Sequence, residues 1–197
     1  MASRSKLIET LQRLQRRRVD SNSLVESLYT LKVGHKGGPN DRAAILIATA
    51  LLEQSLEDAI AHALPQLTST DRKKLFEGDY EREGIIGSLY SKAFVGYALA
   101  IYGTNTLGDI STIRYIRNSF AHSKTDVNLS DSVYSDLCEF HVVSNFIWGG
   151  VVGDAPTSPR DKFISAVILL CHHFWLRCSD YKGHGSLIEF MREKLFT

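Results

Sequence analysis

Arg117, Asn118 and His122 fall within one run, Arg-Asn-Ser-Phe-Ala-His, near the end of an apolar, helix-patterned segment. A guanidinium can hold a phosphate as negative charge develops on it, and an imidazole can move protons near neutral pH. Asn118 can hydrogen-bond a phosphate oxygen or orient the imidazole. Together they supply the groups needed for an RNA 2′-hydroxyl to attack its own phosphodiester without a metal. Spacing alone says little, because 13 arginines and 7 histidines in 197 residues produce about 0.5 such pairs by chance. Arg177 and His184 form a second, looser pair that is assigned to chance. On a continuous helix five residues place the two side chains roughly 140° apart. They converge only where the helix ends or bends before His122, or where the pair meets its symmetry mate across a dimer. The ordinary alternative is a helix end, with Arg117 solvated and His122 beside the last carbonyls.

The elements that must position these residues read as helices. Residues 41 to 64 carry the longest helical pattern, closed by Pro65, and Ala43 to Leu52 is apolar almost all round, as in the centre of a bundle. A short helix is expected around Thr70 to Phe76, another over Ser88 to Tyr102 before Gly103, and a third with Ile110, Ile113, Ile116 and Phe120 on its core face. Thr106 and Asp109 have the spacing of a capping box for that third helix. Further helices are expected over 131 to 146, from Pro159 through Phe163 to Cys178 with Ser158 as N-cap, and over Ser186 to Phe196. Residues 1 to 33 read as an N-terminal helical hairpin, and Gly149 to Pro159 as the longest loop and a candidate flap. No strand-type alternation or repeat is found, so the expected fold is all-α. It is a single domain with a core over 41–123, the hairpin at 1–33 and C-terminal helices over 131–197.

Composition narrows the function classes. The 23 basic and 22 acidic residues leave a net charge of +1, so no global field draws the chain to nucleic acid or an anionic membrane. Cys138, Cys171 and Cys178 lack a disulfide-framework spacing, and neither a signal peptide nor an 18-residue apolar run is present. A soluble, cytoplasmic protein is expected.

Other polar groups are candidates for chemistry. Glu53 flanks the strip of Ile45, Leu52, Leu56 and Ile60, and a carboxylate there wants a partner, with Lys92 or Arg117 as candidates. The alternative is that Glu53, Glu57 and Asp58 form a solvated face. Cys171, His172, His173 and Cys178 have no metal-ligand spacing, and adjacent helical histidines point about 100° apart. The run Arg13, Arg16, Arg17 and Arg18 has no accompanying DNA-reading motif, and Gly34 to Gly38 lacks the order of a phosphate loop. Neither a metal nor a cofactor is expected, and direct DNA binding is not expected either.

Three segments carry a resemblance. Asp41 to Glu53, Gly87 to Ala93 leading to Tyr97-Ala98-Leu99, and Ile113 to Ser123 resemble, in order and character, the mannitol operon repressor family. That family is in turn similar to the HEPN superfamily (higher eukaryotes and prokaryotes nucleotide-binding). The resemblance covers roughly residues 41 to 123, and the Arg-Asn-x-Phe-Ala-His-Ser string is its most specific element. Resemblance to HEPN proteins implies a helical bundle that dimerises, with the Arg-Asn-x3-His motif near the shared interface. In active members it implies a metal-independent endoribonuclease, a toxin or defence effector. Arg117 would then neutralise the scissile phosphate, His122 would move the proton and Asn118 would assist. Resemblance to the repressor family implies instead a transcriptional regulator that acts through a protein partner. The regulator is the first expectation and the ribonuclease acting on single-stranded RNA the alternative, with a homodimer expected in both.

Overall fold

Among the residues described by the computed structural model (40–78, 84–148 and 154–178, with Arg18, Ser23, Ser27 and Leu28), regular structure is entirely helical. In chain order the helices are α1 (Asp41–Ala63), α2 (Ser69–Phe76), α3 (Leu89–Ala98), α4 (Thr104–His122), α5 (Ser132–Leu137), α6 (His141–Ser144) and α7 (Pro159–Cys178). The expected helix over Ser186 to Phe196, the hairpin over 1–33 apart from those four residues, and 149–153 of the expected flap lie outside the described residues.

Helix α1 is central because its sequence leaves little polar surface to turn outward. It packs on α7, α4 and α3, and Ile45, Leu52, Leu56 and Ile60 are all fully buried along it. Asn40 caps its start, accepting from the Ala43 amide at 2.9 Å. Ile110, Ile113, Ile116 and Phe120 of α4 and Phe163, Ile164, Val167, Leu170 and Phe174 of α7 close the core over it. Ser158 caps α7 by accepting from the Asp161 amide at 3.0 Å.

Three boundaries differ from the sequence expectation. Helix α3 stops at Ala98, four residues before Tyr102. The Ile101 amide bonds to Gly96 O at 3.0 Å and the Ala100 amide to Tyr97 O at 2.9 Å, the paired bonds of a Schellman termination. Its left-handed position is held by Ala100 at φ 53°, where glycine is usual, so the stop carries no glycine signal. The freed Ile101 and Tyr102 turn inward, and Tyr102 donates to Ala93 O at 2.6 Å. Tyr102 fits because Gly96 has no side chain: a Cβ there would lie 2.9 Å from its hydroxyl.

Thr106 and Asp109 form no capping box. Helix α4 begins at Thr104 behind Gly103 without a side-chain cap. Asp109 caps a different helix, accepting from the His141 amide at 2.9 Å and the Val142 amide at 2.8 Å at the start of α6. Burial raises the Asp109 carboxyl above its ordinary range, against the pull of those two amides and of His141. The segment expected as one helix over 131 to 146 is two, α5 and α6, interrupted where Cys138 and Phe140 turn into the core.

Candidate functional site

Helix α4 is unbroken through His122, and its C-cap Ser123 has extended backbone. Its end is fixed from α1, where Arg42 donates to Ser123 O and Thr125 O, both at 3.1 Å. A cation there also suits the negative end of the helix. With no bend before His122, the helical rotation keeps Arg117 and His122 of one chain on different faces. Arg117 and Asn118 open on a cleft of about 600 Å³, and His122 is not among its lining residues. His122 is exposed and makes no hydrogen bond or ion pair with the described residues. A single copy therefore does not assemble the three motif residues into one site.

Four elements build the cleft. Helix α1 supplies Thr49 and Glu53, the end of α2 supplies Phe76 and Glu77, and α4 supplies Arg114, Arg117 and Asn118. The remaining wall is the turn at Gly84 to Ser88 and the first residues of α3, Leu89 and Tyr90. That turn lies on the end of α2, with the Ile86 amide bonded to Leu75 O at 2.9 Å. Gly84 makes the approach possible, since a Cβ there would sit 2.5 Å from the Phe76 carbonyl carbon. Ser88 caps α3 by accepting from the Ser91 amide at 3.1 Å.

Within the cleft Arg117 donates to Asn118 Oδ1 at 2.9 Å, which leaves the Asn118 amino group as a donor. Arg114 lies over the rings of Tyr115 at 4.4 Å and Tyr90 at 5.2 Å. Two groups of residues that line the cleft have no hydrogen-bond partner among the described residues, the buried Nε of Arg114 and the hydroxyl of Thr49, a residue only 2% exposed.

Behind the cleft runs a paired charge network. Lys92, 4% exposed, reaches Glu53 at 2.8 Å and Glu57 at 3.3 Å, and its ammonium lies 5.9 Å from the Phe76 ring centre. Glu57 also pairs with Arg18 and, at 3.4 Å, with Arg72, while Asp58 pairs with Arg18 at 2.7 Å and Arg72 at 2.5 Å. Lys92 is thus the partner of Glu53, and Arg117 shares the cleft with Glu53 without pairing with it. The solvated-face alternative fails for Glu57, which is buried, and Asp58 is held in ion pairs.

Thr49 and Arg114 escaped the sequence reading. Thr49 is a lone hydroxyl inside the apolar run of α1, and Arg114 is one helical turn before Arg117, on the same face. Those signals point to them only once the cleft is known. The cysteine and histidine cluster disperses, as the angular rule predicts: His173 is buried, with Nε2 3.3 Å from Ile101 O, whereas His172 is exposed and stacks on Trp175. Burial pushes the Cys171 thiol up to about 12. No cluster suited to a metal ion occurs among the described residues, and no helix there is long and apolar enough to cross a membrane.

No protein-family model, curated protein or solved structure matches this chain.

Proposed function

We propose that this chain is a regulatory interaction module on a HEPN-type helical bundle, similar in kind to the mannitol operon repressor family. It acts in transcriptional regulation through self-association and a protein partner, not by reading DNA. The observation that carries this reading is an aromatic stripe. Tyr90, Phe94 and Tyr97 recur along one face of α3 at 60%, 57% and 37% exposure, and Tyr115 of α4 continues the stripe through Arg114. Beside it lies a shallow groove lined by Phe94, Leu107 and Ser111. Exposed aromatics clustered with an arginine have the composition of a protein interface. Light scattering tests the reading: the wild-type chain runs as a dimer, and Phe94→Glu shifts it to monomer without loss of helical content. A wild-type monomer, or tight sequence-specific DNA binding by the isolated chain, would refute it.

A second reading, a metal-independent endoribonuclease, draws on one observation: Arg117 opens on the cleft and His122 is exposed near the end of the same helix. A second copy could bring its His122 to the first copy's Arg117, as the resemblance implies. In this reading Arg117 neutralises the phosphate, His122 transfers the proton and Asn118 holds a phosphate oxygen. Wild-type protein then cleaves single-stranded RNA in excess chelator, and Arg117→Ala and His122→Ala do not. Equal survival of RNA with all three proteins would eliminate it.

A further inference from the structure

We infer that the cleft between α1, α3 and α4 is an effector site for a small phosphate monoester, held by Thr49, Arg114, Arg117, Asn118 and the amino terminus of α3. The inference deepens the regulatory reading and rests on it for the word effector; the binding itself does not depend on it.

The donors converge from three elements. The Ser88 hydroxyl accepts from the Ser91 amide at 3.1 Å and its carbonyl from the Lys92 amide at 3.0 Å, which leaves the amides of Leu89 and Tyr90 without an intrahelical acceptor, and both residues line the cleft. A helix amino terminus of this kind favours an anion. Arg114 and Arg117 bring two fixed positive charges, and Arg117 turns the Asn118 amide so that its amino group faces away from the shared bond. Thr49 is the independent sign of a ligand. Its hydroxyl is buried, lacks a partner and belongs to a residue lining the same cleft. Buried hydroxyls are normally paired, and an unpaired one costs stability that a bound acceptor would return.

The ligand class follows from number and sign. Two guanidinium groups, two backbone amides, an amide side chain and a hydroxyl exceed what the two oxygens of a carboxylate accept, and suit a dianion with three terminal oxygens. Glu53 and Glu77 stand in the same cleft, Glu53 already neutralised by Lys92 at 2.8 Å. Carboxylates lining the same cleft as the arginines oppose a polyanion, whose neighbouring phosphates would lie against them, more than a ligand with one phosphate. A volume of about 600 Å³ admits a whole small molecule beyond the phosphate.

The test uses the full-length chain, with inorganic phosphate and phenyl phosphate titrated at constant ionic strength, read by calorimetry and by melting temperature. Both probes bind saturably and raise the melting temperature, and Arg114→Gln weakens binding about tenfold, the scale of a lost charged hydrogen bond. Thr49→Val weakens binding about threefold while melting at the same or a higher temperature in phosphate-free buffer, a pairing that a purely structural threonine would not give. Absence of saturable binding would overturn the inference, as would Thr49→Val and Arg114→Gln proteins that bind phosphate like the wild type. Retention of a short RNA by these residues without competition from phenyl phosphate would overturn it in favour of RNA. Failure here with a dimer still sensitive to Phe94→Glu strikes the effector site and leaves the regulatory reading standing.

Discussion

Two polar regions meet at Glu53 and differ in what their charges do. On the inner side Glu53 pairs with Lys92, Lys92 with Glu57, and Glu57 and Asp58 with Arg18 and Arg72, so every one of these charges has a partner. On the outer side, Arg114 and Thr49 retain polar atoms without partners, and Arg117 bonds only its neighbour Asn118 among the described residues. Paired charges fix the packing of α1, α2 and α3 and have little left to offer a ligand. Donors without protein partners, buried in the wall as the Thr49 hydroxyl and the Arg114 Nε are, or exposed as Arg117 is, keep hydrogen-bonding capacity that a ligand can take up. The contrast separates residues whose loss should be felt as instability from residues whose loss should be felt as lost binding.

The largest effect expected is on the inner side. Glu57→Ala leaves the buried Lys92 with Glu53 alone and costs about 3 kcal/mol in chemical denaturation. Replacing Lys92 by methionine and Glu57 by leucine together recovers part of that loss, because both buried charges leave at once. Full additivity of the two single losses would show that the network is not a unit. Next is the wall between the regions. Gly84→Ala drives a Cβ against the backbone of Phe76 and costs about 2 kcal/mol, with a changed cleft as its visible consequence. On the outer side, Arg117→Ala and His122→Ala change stability by no more than about 0.5 kcal/mol, since both side chains are exposed. A large destabilisation by either would erase the difference between the two regions.

A thiol reports on the inner region without altering its charges. Burial raises the Cys178 thiol to about 11, with Asp58 adding to the rise and Arg72 opposing it. The thiolate is the reactive form, so alkylation of the native protein is slow at pH 8 and speeds up about tenfold per pH unit until the pH approaches that value. Cys138 and Cys171, buried and raised to about 12, react more slowly still. Glu57→Ala accelerates labelling of Cys178 if the network shields it, and an unchanged rate would confine the network's influence to α1 and α3.

Much of the helical architecture was legible in the chain. The apolar wrap of Ala43 to Leu52 marked a central helix, Ser158 and Pro159 marked the start of α7, and Glu53 called for a basic partner, of which packing chose Lys92 over Arg117. Local chemistry failed where a neighbour outside the local sequence supplied the partner. Asp109 stands three residues after Thr106, as a capping box requires, yet it caps α6, 32 residues further on. The end of α3 was hidden because Ala100 takes the left-handed position that glycine normally announces.

By itself, the sequence determined the helices of the described residues, a nearly balanced net charge and an Arg-Asn-x3-His string at the end of a core helix, because periodicity and composition are local properties. Tertiary structure alone decided that Arg117 faces a cleft and His122 does not. The direction of a side chain depends on whether its helix runs on, and α4 runs on to His122 because Arg42, 81 positions from Ser123, holds its end. Packing likewise brought Thr49, Arg114 and the first turn of α3 to one cavity, since a shared surface is made by elements that the chain order keeps apart.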